Sequence, residues 1–239
     1  MFSLFWFWSR KTTHFYLFLI HLVSGIAMFN FKMNFDVTLH LNTNTYATNI
    51  CAMNGTFLIL TALAHLFYSI NDEFSKQYRW IEYGISAPIL FIVIAIMCGI
   101  RDIFTLVSLF GLMSTTMRFG RYQDLSRETD WKKAPFWDGF IPYVFAWAVV
   151  FYQFGYSVKR SDAPDFVYPI IVVTFLFYSS FSIVQWYFTI KTVNLDAEDS
   201  AMIVLSLLSK LVLSYWMLGG IMNIQDNSSS LQDSATWRS

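Results

Sequence analysis

Charge is scarce in this chain. Asp, Glu, Lys and Arg make up 13% of its 239 residues, where a soluble domain carries about 25%. Sixteen basic residues are matched by sixteen acidic ones and form no basic tract, so nothing points to nucleic acid. Cysteine is almost missing: Cys51 and Cys98 alone cannot build the common tetrahedral metal site, and no metal is expected. What fills the sequence instead is apolar. It is 56% hydrophobic and 20% aromatic, with 25 Phe and a mean hydropathy of +0.46. These proportions exclude a soluble fold and define an integral membrane protein.

Seven apolar stretches, each long enough to cross about 30 Å of hydrocarbon, follow one another. They are Lys11–Phe31, Ile50–Ile70, Glu73–Ile100, Asp102–Phe119, Phe136–Val158, Phe166–Lys191 and Ala197–Asn223. Within a bilayer only helices or closed barrels satisfy the backbone, and these runs are too long and unbroken for barrel strands. The first run has no small-residue cleavage site and is interrupted by His21, so it reads as a retained helix rather than a signal peptide. The expected fold is all-α: one seven-transmembrane-helix bundle over residues 1–225, then a Ser-rich, disordered tail over 226–239. Between the first two helices the alternation in 35-FDVTLHLNT-43 predicts a short strand or hairpin within residues 30–49. The stretch Gly120–Pro135 mixes both charges with Trp131 and reads as a solvated loop, or one that binds a partner or the lipid headgroups.

Basic residues set the orientation. The N-terminal segment and the loops after the second, fourth and sixth helices share one face of the membrane. That face carries ten: Arg10, Lys11, Lys76, Arg79, Arg118, Arg121, Arg127, Lys132, Lys133 and Lys191. The other carries five: Lys32, Arg101, Lys159, Arg160 and Arg238. The positive-inside rule then puts the N-terminus in the cytoplasm and the C-terminus outside. A multi-pass protein of the cell membrane is expected, with the lipid bilayer as its first partner.

The sixteenth basic residue is Lys210, in the middle of the last span. It lies eleven residues past Asp199 and thirteen before Asn223, roughly 17–20 Å from either end at 1.5 Å per residue. That is too deep for easy snorkelling, and a charge there costs on the order of 2.5–3.5 kcal/mol, so it marks a functional interior. Glu82, nine residues into the third span, is the membrane-embedded carboxylate clear of the helix ends. It has two possible partners, Arg79 one turn away and Lys210 across the bundle at similar depth. Ser86 lies one turn deeper than Glu82, and Ser206 one turn before Lys210. His21 and His65 fall in the cytoplasmic half, as either satisfied core residues or a shared hydrated cluster with Glu82. Cys51 and Cys98 sit at the outer ends of adjacent helices, either bridged or as two small buried hydrophobes.

Seven helices with a lone lysine midway along the last resemble the retinal-binding rhodopsins, and the details resemble heliorhodopsins. The residues that carry the resemblance are 79-RWIEYGIS-86, 206-SLLSK-210, 20-IHL-22, 61-TALAHL-66 and 109-LFGLM-113. The inverted orientation and the long outer loop after the first helix match as well. The resemblance implies all-trans retinal bound covalently at Lys210 as a Schiff base, with Glu82 as its counterion. It implies that Ser86, Ser206, Met113, Tyr178 and Gln185 line the chromophore pocket, and that His21, His65 and Arg79 form a proton cluster on the cytoplasmic side. The chain departs from the pattern at Gly84 and Pro88, and it has only hydroxyls in 110-FGLMSTTM-117, where relatives often carry an acid. The many Phe suit an AT-rich viral or algal genome.

The expected function is a non-enzymatic photoreceptor with a Schiff-base photocycle, signalling through a cytoplasmic partner and forming a homodimer through its aromatic outer faces. The alternative is a light-gated passive proton or ion transporter. A pump is disfavoured because 89-ILFIVIAIMCGI-100 and 211-LVLSYWMLGGIM-222 make the outer half of the third and seventh helices nearly dry. A third class, a retinal-free seven-helix scaffold or enzyme, predicts no visible absorbance with added all-trans retinal.

Overall fold

A computed structural model describes residues 9–30, 36–71, 73–160, 165–191 and 195–236. Seven long helices follow in order: α1 (Arg10–Asn30), α2 (Ile50–Tyr68), α3 (Glu73–Met97), α4 (Ile103–Leu125), α5 (Ala134–Lys159), α6 (Val167–Lys191) and α7 (Leu195–Thr236). Each contains a stretch long and apolar enough to cross a membrane. Between α1 and α2 lies the expected hairpin, β1 (Asp36–Leu41) and β2 (Asn44–Asn49), antiparallel from Asp36↔Asn49 to Leu41↔Asn44. Its two-residue turn places Asn42 at φ 54°, a left-handed conformation that Asn tolerates better than other side chains. The hairpin docks at one end of the bundle, where the His40 amide donates to the Arg101 carbonyl at 2.9 Å and Val37 joins the core. This is the hairpin end; the opposite end carries the start of α1.

The helix boundaries follow from local chemistry. Asn49 closes β2 and caps α2, its side chain accepting from the Ala52 amide. Asp102 caps α4 in the same way through the Thr105 amide, and that pair of hydrogen bonds from Thr105 holds the Asp102 carboxyl below its usual range. α3 ends at Met97, and Gly99 just past it, with a φ of +101°, lets the Ile100 amide return to the Ala95 carbonyl. A Cβ there would sit 2.7 Å from the Ser157 hydroxyl. Pro88 lies within α3 and cannot donate to the carbonyl of Gly84, four residues back. Ser114 of α4 donates to that carbonyl instead, at 2.7 Å. A neighbouring helix thus satisfies the freed group, as lipid cannot.

Several boundaries differ from the sequence expectations. α4 continues to Leu125 and α5 begins at Ala134, so the expected loop Gly120–Pro135 shrinks to a short turn tied into the bundle. The backbone expected to be a disordered tail is helical as far as Thr236, because each helical residue supplies the hydrogen-bond acceptor for a later one and the helix propagates from its buried turns. Residues 237–239 lie outside the described residues. Cys51 and Cys98 are two buried free thiols rather than a bridge.

Candidate functional site

Lys210 emerges from the inward face of α7, a buried stripe that runs through Met202, Ser206, Leu213, Met217 and Ile221 at helical spacing. Its Nζ meets Glu82 Oε1 of α3 at 2.6 Å, with both side chains less than 10% exposed. Of the two partners open to Glu82, the fold selects Lys210. Thr61 of α2 donates to the same Oε1 at 3.1 Å, and the face of the Tyr83 ring lies 5.4 Å from Nζ. Three helices therefore fix one carboxylate oxygen against one ammonium.

Beyond Lys210 lies a small, mostly apolar cavity of about 40 Å³. α3 contributes Tyr83, Ser86, Ala87 and Leu90, while α7 contributes Ser206 and Ser209. Met117 of α4 and Phe177, Tyr178 and Phe181 of α6 complete the wall. The hydroxyls of Ser86 and Ser206 are buried without a hydrogen-bond partner, leaving two polar atoms on an otherwise apolar surface. Tyr178 is held by donating to the Ala87 carbonyl at 2.5 Å, and Phe91 and Trp147 pack edge-on against it.

On the N-terminal side of the pair the histidines stack. His65 of α2 lies between His14 and His21 of α1, with ring centroids 5.2 and 5.3 Å away. His14 Nδ1 and His65 Nδ1 approach to 3.0 Å, while His21 Nδ1 binds the Leu17 carbonyl and its Nε2 has no hydrogen bond. His65 is one turn along α2 from Thr61, the residue bonded to Glu82. The pattern missed His14, although it stands two turns from His21 on the same face of α1.

Nearer that end lies a buried charge network. Arg79 of α3 binds Asp124 of α4 at 2.8 Å and Asp199 of α7 at 3.1 Å. Arg127 makes two bonds to Glu198, at 2.5 and 2.6 Å, and a third to Asp124 at 2.5 Å. Arg10 of α1 reaches Asp199 at 3.5 Å, and Trp80 donates its indole N–H to Asp124. The indole fits because Gly120 faces it: a Cβ there would lie 2.3 Å from the ring.

Three expected placements need correction. Arg79 pairs with Asp124 and Asp199 and belongs to this network, not to the histidine cluster. Gln185 turns toward the same network, donating to the Gly120 carbonyl at 2.7 Å and Asp124 at 3.3 Å, because a carbonyl and a carboxylate acceptor lie together there. Met113 is fully buried core; one turn further along α4, Met117 lines the cavity instead. The half of the bundle toward the hairpin end is also less dry than α3 and α7 alone suggest. Asn54 of α2 accepts from Ser214 at 3.0 Å, and Tyr215 meets Ser24 of α1 at 2.9 Å.

Seven membrane-length helices around a buried lysine–carboxylate pair define a protein of the microbial rhodopsin fold. The chain is similar in fold to a light-driven proton pump from Leptosphaeria maculans, at 15% identity and a TM-score of 0.73, covering 90% of this chain and 96% of that one. It is also similar to cyanorhodopsin from the cyanobacterium Calothrix, at 12% identity and 0.67 over 89% and 95%. Thermophilic rhodopsin from Rubrobacter xylanophilus aligns at 17% and 0.62 over 92% and 98%. Among curated proteins no sequence match is found. A profile of the heliorhodopsin family matches residues 11–222, and the chain belongs to that family. Its cofactor is retinal, carried through a Schiff base.

Proposed function

We propose that the chain is a light-sensing membrane photoreceptor in which Lys210 carries all-trans retinal and Glu82 is the counterion. The observation that supports this most directly is the 2.6 Å Lys210–Glu82 contact beside the apolar cavity that Lys210 lines. Retinal in that cavity supplies light absorption and photoisomerisation. The chain's own residues do the rest. Glu82 balances the buried cation, which without an opposite charge would lose its proton. Thr61 keeps Oε1 aimed at it, Ser86 and Ser206 offer hydroxyls to the polar end of the chromophore, and Tyr178 stiffens the α6 wall. The stack of His14, His65 and His21, one turn along α2 from the Thr61 that binds Glu82, supplies groups able to take up a proton released from the pair.

The count of ten basic residues against five supports a cytoplasmic N-terminus, which makes the histidine side the cytoplasmic one. Signalling is favoured because the Arg79 and Arg127 network joins α1, α3, α4 and α7 at that face, where a shift of α7 reaches a partner. The second reading, a light-gated passive transporter, is favoured by Asn54, Ser214, Ser24 and Tyr215, which extend polar groups past Lys210.

Two experiments test the reading. Added all-trans retinal should give a visible band in the parent, and Lys210→Ala should abolish it, since the other lysines in the described residues lie at the bundle ends. Colour retained in Lys210→Ala sinks the assignment. Under voltage clamp, light should evoke no current at any potential; a sustained photocurrent makes the transporter reading correct.

A further inference from the structure

We infer that the groove between α3 and α4 is a binding site for an anionic phospholipid, with Arg118 and Arg121 holding the phosphate and the groove holding an acyl chain. The groove has a volume of about 620 Å³. Its apolar length is made by Ile81, Gly84 and Ile85 of α3 and Phe110 of α4, and Tyr122 flanks its polar end. On α4, positions 110, 114, 118, 121 and 125 recur every three or four residues, so Phe110, Ser114, Arg118, Arg121 and Leu125 share one face. From Phe110 to Arg121 that face turns from apolar to basic, as an amphiphile does.

The two arginines differ from the others at this end. Arg10, Arg79 and Arg127 are all spent on carboxylates. Arg118 and Arg121 are exposed, and among the described residues no carboxylate pairs with either. Arg118 and Arg121 sit seven and four residues from the end of α4, about 10 and 6 Å, from where an arginine side chain snorkels to headgroup depth. Two unneutralised guanidiniums at that depth, over an apolar groove, are complementary to a lipid phosphate. Gly84 leaves the groove open, since a Cβ built there meets nothing within 4 Å. The Ser114–Gly84 hydrogen bond holds the floor in place.

The test uses the full-length protein with retinal, in detergent, titrated with phosphatidylglycerol and separately with phosphatidylcholine and followed by native mass spectrometry. Phosphatidylglycerol should bind more tightly than phosphatidylcholine. Arg118→Gln with Arg121→Gln should weaken it about 30-fold, from roughly 1 kcal/mol per arginine, and leave phosphatidylcholine unchanged. Lys132→Gln with Lys133→Gln removes the same charge from the same end outside the groove and should change binding less than about twofold. Gly84→Leu keeps both arginines and fills the apolar part, so it should weaken the lipid but not change binding of glycerol phosphate. Equal affinity for the two lipids overturns the inference. So does an equal loss in the lysine pair, which would mean diffuse attraction. A change of oligomeric state in the arginine pair with lipid binding intact would mean that a second copy occupies the groove.

Discussion

Glu82→Gln removes the anion opposite Lys210 while keeping the side chain's shape. The pair is in direct contact at 2.6 Å and screened from solvent by burial on both sides. Two unit charges about 4 Å apart at an effective dielectric constant of about 20 attract by roughly 4 kcal/mol, equal to about 3 pH units at 1.36 kcal/mol per unit. The groups that remain cannot replace this: Thr61 is neutral, and the Tyr83 face contributes about 1 kcal/mol. The anion stabilises the protonated, coloured form. Its loss favours the neutral form, so the band should bleach at a lower pH. The midpoint for loss of the visible band should fall by about 2–3 pH units relative to the parent. The assay is a spectrophotometric titration in chloride-free buffer, so that no halide takes the empty place. Midpoints within half a unit of each other would show that the Glu82 charge does not reach the chromophore, and the counterion assignment would be wrong.

Two further substitutions probe the surroundings. Arg127→Gln leaves Glu198, fully buried, without its two-bond partner and with Arg79 at 3.9 Å; it should cost about 3–5 kcal/mol, seen as earlier thermal loss of the visible band. Adding Glu198→Gln should recover much of that loss, and a single mutant within about 1 kcal/mol of the parent would show that the network is slack. His21→Phe with His65→Phe should change the photocycle kinetics in flash photolysis while retinal binding stays intact. Unchanged kinetics would make the histidine stack structural.

The seven spans were legible in the sequence because crossing hydrocarbon requires about twenty apolar residues in a row, a local property that neighbours do not alter. The depth of Lys210 and Glu82 was legible for a similar reason: position along a helix converts to distance at 1.5 Å per residue. The hairpin followed from alternation over a few residues. Rotation about each helix axis was not legible, because every helix here is apolar on most sides and lipid attracts no particular face. Packing alone turned Gln185 toward Asp124 rather than the cavity, and put Met117 in the wall where Met113 was expected. It also brought His14 to the stack. Partner choice went the same way. Arg79 is one turn from Glu82 in the chain, yet Asp124 and Asp199 from two other helices hold it, because they supply two charged acceptors at once and free Glu82 for Lys210. A buried charge takes whichever partners the assembled bundle brings within reach, and that decision is made across helices rather than along them.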